Sequence, residues 1–342
     1  MISHRFNTDC TSKQDESNTS QASGKIIPVN YFGGYPIPTF FLAENVQSII
    51  DYKPRDDDIF IVTYPKCGTT WSHHMLALIL RHGENFSENF NWTDSGPFLE
   101  MSGTKGFENL KRPCPFRTHM PFRLTPWSDK AKYIYVTRNP KDACVSYYHH
   151  IANAPVDPFT GTFDDLFEYF ISGKAGFGDF FDHLEGWYEQ RNRPNVLFVT
   201  YEEMKENPEA AIFKMASFVD DEKYAEPLRK DRQKLENVLK YSSFKEMKAI
   251  INKSMNEFFS MFTKDVEKSE VPEGFKAMVS KMNESKDVEN ASENPRYLSF
   301  IRKGIIGDWR NHFSEEQSRR LDEKFEERTK NIEIAKIWKQ YM

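Results

Sequence analysis

The sequence predicts an α/β protein, a single domain on a central, mainly parallel sheet of about five strands with helices on both faces. Three observations predict it. A β-rich run followed by a loop and a helical pattern occurs three times along the chain, and strands that alternate with helices imply parallel pairing through crossovers. Beyond about residue 25 no linker, repeat or low-complexity stretch divides the chain. The composition, 39% apolar and 15% aromatic over 342 residues, suffices for a sizeable core.

Residues 1–25 are rich in Ser, Thr, Asn and Gln and are expected to be a disordered polar tail, leaving 26–342 as the domain. The first unit is "DIFIVTY", which breaks at Pro65 and gives way to "WSHHMLALILRHG". Trp71, Met75, Leu78 and Ile79 recur near helical spacing, and Gly83 marks a stop. The second is "KYIYVT" followed by "RNPKDACVSYYHH", with Pro140 at the start of its helix, where a missing N–H costs little. The third is "NVLFVTYEEM" followed by "NPEAAIFKMASFV". Sheets of this kind bind ligands at the carboxyl ends of their strands. Both "TYPKCGTTW" and "RNPKDACVS" belong to that edge.

Composition excludes several classes. A net charge of −5 and a pI near 6.0 argue against general nucleic-acid binding. Cys10, Cys67, Cys114 and Cys144 lack paired or metal-type spacing and read as reduced thiols. The N-terminus lacks the apolar core of a secretory signal, and no run approaches the about 18 apolar residues of a membrane helix. A cytoplasmic protein with no metal, membrane or nucleic-acid partner is expected.

Within "TYPKCGTTW", a helix beginning near Thr69 offers free N–H groups and the positive end of its dipole to an anion. Gly68 permits close backbone approach, Thr69 and Thr70 add hydroxyls, and Lys66 adds a mobile charge. The order differs from the triphosphate loop G-x-x-x-x-G-K-[ST] and suits one phosphate or a phosphosulfate.

Read with "RTHMP", "YVTRNPKDACVSYYH" and "RKGIIGDWRNHF", which follow it in that order, the chain resembles the cytosolic sulfotransferases from about Ile26 to the C-terminus. The resemblance implies transfer of a sulfonate from 3′-phosphoadenosine-5′-phosphosulfate (PAPS, giving PAP) to a hydroxyl or amine, without a metal. By resemblance, Lys66, Cys67, Gly68, Thr69 and Thr70 form the 5′-phosphosulfate loop. Arg138, Ser146, Arg302, Lys303 and Gly304 hold the 3′-phosphate. Trp71 and Phe244 flank the adenine, with polar contacts from Tyr201 and Ser242. His119 is the implied general base, Lys66 stabilises the leaving phosphate, and Ser146 also restrains Lys66. His73, His74 and His149 are read as structural. Cys67, beside Lys66 near a helix start, is expected to have a lowered pKa but lacks triad partners.

The chain departs from the family pattern in four places. Cys67 replaces a serine of the loop, and Arg117 a common lysine. Ser314, Glu315 and Arg319 occupy the positions of the short dimer motif, so a monomer or a non-standard dimer is expected. The interval before "RYLSFIRKG" is long, and Met255, Phe258, Phe259 and Phe262 form an apolar helical stripe, read as a lid over residues 254–295 above an apolar, hydroxyl-bearing acceptor. Such a lid also suits the retinol dehydratases of the same fold, which eliminate water through a sulfonated intermediate. A non-catalytic binding protein is the remaining alternative, against which stand Lys66, His119 and Ser146.

Overall fold

The structure, a computed structural model, describes residues 27–86, 96–107, 110–154, 158–262, 301–330 and 332–342, with side chains described only outside 255–262. The N-terminal tail and most of the expected lid lie outside these residues.

A hairpin of β1 (Val29–Phe32) and β2 (Tyr35–Pro38) leads through α1 (Ala43–Ile50) to β3 (Ile59–Val62) and α2 (Thr69–Leu80). Next come α3 (Leu99–Ser102), β4 (Pro115–Thr118), β5 (Lys132–Thr137) and α4 (Pro140–Ala152). After α5 (Phe163–Ile171) and α6 (Phe180–Tyr188), β6 (Val196–Thr200) runs directly into α7 (Tyr201–Glu206) and α8 (Pro208–Asp220). Among the described residues the helices that follow are α9 (Glu226–Lys230), α10 (Arg232–Tyr241), α11 (Phe244–Phe262), α12 (Glu315–Thr329) and α13 (Ile334–Trp338).

The main sheet is parallel in the order β4-β3-β5-β6, four strands where the sequence suggested about five. Among the described residues the β4 edge adds a single parallel bridge, Phe98 to Arg117, with Arg117 N donating to Pro97 O at 3.0 Å. Pro97 has no N–H to extend a ladder, and the chain turns into α3 at Leu99.

Side chains alternate across the sheet with period two. Phe60, Phe116, Tyr133 and Tyr135 enter an aromatic layer with α4, α5, α6, α12 and α13. Ile59, Ile61, Ile134 and Val136 enter an aliphatic layer with α2, α8 and α10. Thus α2, leaving β3 towards β4, and α4, leaving β5 towards β6, cover opposite faces. Since β3 and β5 are neighbours, a crevice opens between their exit loops. This is the switch point at which such sheets bind ligands.

Candidate active site

Both exit loops have backbones shaped for close approach. Lys66 adopts φ 68°, and Gly68, the N-cap of α2, has φ 109°. A Cβ at Gly68 would stand 3.1 Å from the Tyr201 ring, so only glycine fits both the dihedral and the space. Across the crevice, Asn139 caps α4 by accepting from Asp142 N, and Pro140 opens the helix as expected.

Positive charge converges here. Lys66 is lowered to about 8, first by burial and then by the nearby Arg138 and Arg302 charges. Residues distant in sequence thus crowd three cations together, an arrangement that an anion would relieve. Arg138 donates to Ile305 O at 2.7 Å, lies 3.4 Å from Asp142 Oδ2 and stacks over Tyr201 at 4.3 Å. Arg302 and Lys303 both pair with Asp308, Lys303 at 2.8 Å. Despite the cost of burying it, these bonds hold the Asp308 carboxyl below the usual carboxylate range. Ser146 is half-buried on α4.

The residues expected around adenine also assemble. Trp71 Nε1 donates to Ser242 O at 2.9 Å, and the Trp71 ring meets Tyr201 edge-on at 5.4 Å. Lys205 Nζ lies 5.9 Å from the Trp71 ring and 5.9 Å from the Phe244 ring. At Gly304, φ 64°, a Cβ would be 2.3 Å from Phe244. That glycine therefore lets the backbone at 304 pass close to the Phe244 ring.

His119 follows β4 directly. Its Nδ1 is 2.8 Å from Thr63 O and 3.1 Å from Thr63 Oγ1. A carbonyl oxygen can only accept, so Nδ1 carries the proton and Nε2 the free lone pair. The Thr63 hydroxyl continues to Thr69 Oγ1 at 2.6 Å, tying the histidine to the first turn of α2. His119 N donates to Glu100 Oε1 at 2.6 Å, and its ring lies between Phe98 at 4.9 Å and Phe177 at 5.2 Å. Burial, partly offset by the bond to Thr63, lowers His119 to about 3, so the imidazole is neutral at physiological pH.

Two expectations are corrected or refined. Burial pushes the Cys67 thiol upward, not downward as a helix start alone would suggest, and the side chain is fully buried. The low dielectric outweighs the dipole and Lys66. Arg117 keeps a lysine's charge, but its Nη2 is committed to Gly96 O at 2.6 Å and burial lowers it to about 9. His74 is buried, and burial lowers its imidazole to about 4.

Sequence reasoning missed Thr63, Glu100, Phe98, Phe177 and His150. Glu100 is fully buried and raised to about 7 by burial. His150 lies one turn beyond Ser146, accessible to solvent, yet so enclosed that burial, then Lys66 and His119, hold its imidazole well below the usual range. Only Thr63 carried a local signal, as the last residue before the loop. Ser314 caps α12 through a box with Gln317, and Arg319 pairs with Glu316 at 2.7 Å. Among the described residues no group of three His, Cys, Asp or Glu could hold a metal ion, and no helix is long and apolar enough to cross a membrane.

Comparison with known proteins agrees with this geometry. The family model for the sulfotransferase domain matches residues 56–271 and 251–333. The chain is 33% identical over 298 residues to an amine sulfotransferase of Oryctolagus cuniculus, covering 86% of this chain and 87% of that protein. It is 31% identical over 321 residues to sulfotransferase 1C2 of the same organism, covering 91% and 96%. Among solved structures, mouse sulfotransferase SULT7A1 complexed with PAP superposes with TM-score 0.64 at 27% identity, covering 92% of this chain and 98% of that one. A retinol dehydratase complexed with androsterone and PAP shares the fold, with TM-score 0.60 at 20% identity over 90% and 91% of the two chains. A loop carrying Lys66 and Gly68 and a histidine at the edge of one parallel sheet, together with these matches along most of the chain, identify it as a member of the sulfotransferase family and an enzyme of that class.

Proposed function

We propose that the protein transfers the sulfonate of PAPS to a hydroxyl on a small apolar acceptor, in the cytosol and within one domain spanning residues 26–342. The observation that carries this reading is the His119–Thr63 pair, which frees Nε2 at the same sheet edge as the Lys66 loop. PAPS supplies an electrophilic sulfur and a phosphate leaving group. The free N–H groups at the start of α2, with Lys66, Cys67, Gly68, Thr69 and Thr70, suit its 5′-phosphosulfate. The cluster of Lys66, Arg138 and Arg302 calls for anionic charge, and Arg138 with Ser146, Arg302, Lys303 and Gly304 would bind the 3′-phosphate. Trp71, Tyr201, Ser242 and Phe244 would enclose the adenine.

His119 Nε2 takes the acceptor's proton as its oxygen bonds to sulfur. The Lys66 ammonium neutralises charge on the bridging oxygen as the S–O bond breaks, with Ser146 restraining Lys66 beforehand. Negative charge beside Lys66 also relieves one cause of His119's low basicity. Phe98 and Phe177 beside His119, with Phe41 packed against both, suit an apolar acceptor. A monomer or non-standard dimer is part of this reading.

The test is mass spectrometry after incubation with PAPS and a panel of phenols, steroids, aliphatic alcohols, amines and retinol. A sulfonated product is expected, and His119→Ala should abolish it while leaving PAP affinity within a few-fold. Loss of water from an acceptor only when PAPS is present would replace transfer with elimination. An equal loss of PAP affinity in the variant would remove His119 as the base.

A further inference from the structure

The buried carboxylate of Glu202, at the head of α7, is divided between two distant parts of the chain. Oε1 accepts from Asn139 N at 3.0 Å and Asn139 Nδ2 at 2.9 Å. Oε2 accepts from the indole N–H of Trp338 at 3.0 Å. Glu202, Asn139 and Trp338 are all fully buried.

From Asn139 the connections run to the opposite wall of the crevice. Asn139 Nδ2 also donates to Asp142 Oδ2 at 3.0 Å. The two Asp142 oxygens receive Gly307 N at 2.7 Å and Trp309 N at 3.1 Å. Trp309 Nε1 then donates to Tyr341 O at 2.8 Å. The ring therefore closes from Trp338 through Glu202, Asn139, Asp142 and Trp309 to Tyr341, beginning and ending in the last residues of the chain. Arg138 lies within it, bonded to Ile305 O at 2.7 Å.

We propose that the C-terminal segment is a positioning element for the 3′-phosphate site: Trp338, through Glu202, and the Tyr341 carbonyl, through Trp309, set Arg138 against Arg302, Lys303 and Gly304. This rests on the assignment of those residues to the 3′-phosphate under the proposed function. The two walls come from parts of the chain 165 residues apart, at Asp142 and Gly307, and local structure does not fix their separation. A phenylalanine at 338 would fill the same space but leave Glu202 Oε2 buried without a donor, a costly state that Glu202 can relieve only by moving or taking a proton.

The experiment measures binding of PAP and of adenosine 5′-phosphosulfate, which lacks the 3′-phosphate, to the full chain, to Trp338→Phe and to a chain ending at residue 340. Wild type should prefer PAP. If it does not, the 3′-phosphate assignment fails and the inference with it. Given that preference, each variant should lose about tenfold in PAP affinity with affinity for the 5′-phosphosulfate nearly unchanged. The KM for PAPS should rise while that for the acceptor holds. Equal losses for both nucleotides, or lower thermal stability with unchanged PAP affinity, would overturn the inference and leave the segment purely structural. If Trp338→Phe does not fold, the chain ending at 340 still removes the Tyr341 carbonyl and decides the question alone.

Discussion

Replacing Glu100 by glutamine tests whether the support beneath His119 is a carboxylate held against its own solvation. Glu100 Oε1 accepts from His119 N at 2.6 Å and from Thr118 Oγ1 at 2.9 Å, while full burial raises the group from 4.5 to about 7. Those two bonds favour the charged form, so burial wins over them. Because the folded-state pKa lies above the unfolded one, the folded protein binds the extra proton between pH 4.5 and 7. Stability from this group is then fully present below pH 4.5 and is lost as pH rises through 7. At 1.36 kcal/mol per pKa unit the loss between pH 4 and 8 is about 3 kcal/mol. Glutamine keeps a carbonyl acceptor for His119 N and Thr118 Oγ1 but cannot ionise. Urea unfolding of wild type and Glu100→Gln at pH 4, 5, 6, 7 and 8 should show the variant gaining on wild type by about 2–3 kcal/mol from the acid to the alkaline end. Parallel curves would refute the argument and mean that Glu100 is ionised throughout or reached by water. Glu100→Leu, which orphans both buried donors, should be destabilised at every pH by about 2–6 kcal/mol.

Two further predictions concern the loop of Lys66 and Gly68. Lys66 is lowered to about 8, so its charge is present below that pH and is lost as pH rises through it. PAP affinity measured by calorimetry should therefore fall above pH 8, and Lys66→Arg should remove the dependence; an unchanged alkaline limb in that variant would place the titration elsewhere. Gly68→Ala forces a side chain into φ 109° with its Cβ 3.1 Å from Tyr201, a strain of about 1–2 kcal/mol. Because Tyr201 supports Arg138, PAP affinity should drop about tenfold with a smaller change in melting temperature, and an undisturbed affinity would show that the loop relaxes around the methyl group.

Within this chain, what a contiguous stretch of residues can express was legible before the fold was known. The β-rich run before Pro65, the single glycine at 68, and Pro140 opening a helix after Arg138 are local instructions, and each strand-loop-helix unit appears in the structure where its residues place it. From them followed the parallel sheet and the edge at which an anion is expected. Tertiary structure alone decided which atoms meet across that edge. Which nitrogen of His119 is free depends on the Thr63 carbonyl, a neighbour only because β3 pairs with β4. The Cys67 thiol is raised rather than lowered because the core closes over it, and Arg302 and Lys303 reach the crevice already bound to Asp308. The ring through Glu202 and Trp338 joins residues far apart in the chain. Patterns of periodicity and spacing report the near neighbours of a residue along the backbone. Tautomer, ionisation and charge pairing are set by dielectric and by partners through space, which packing brings together only when the chain has folded.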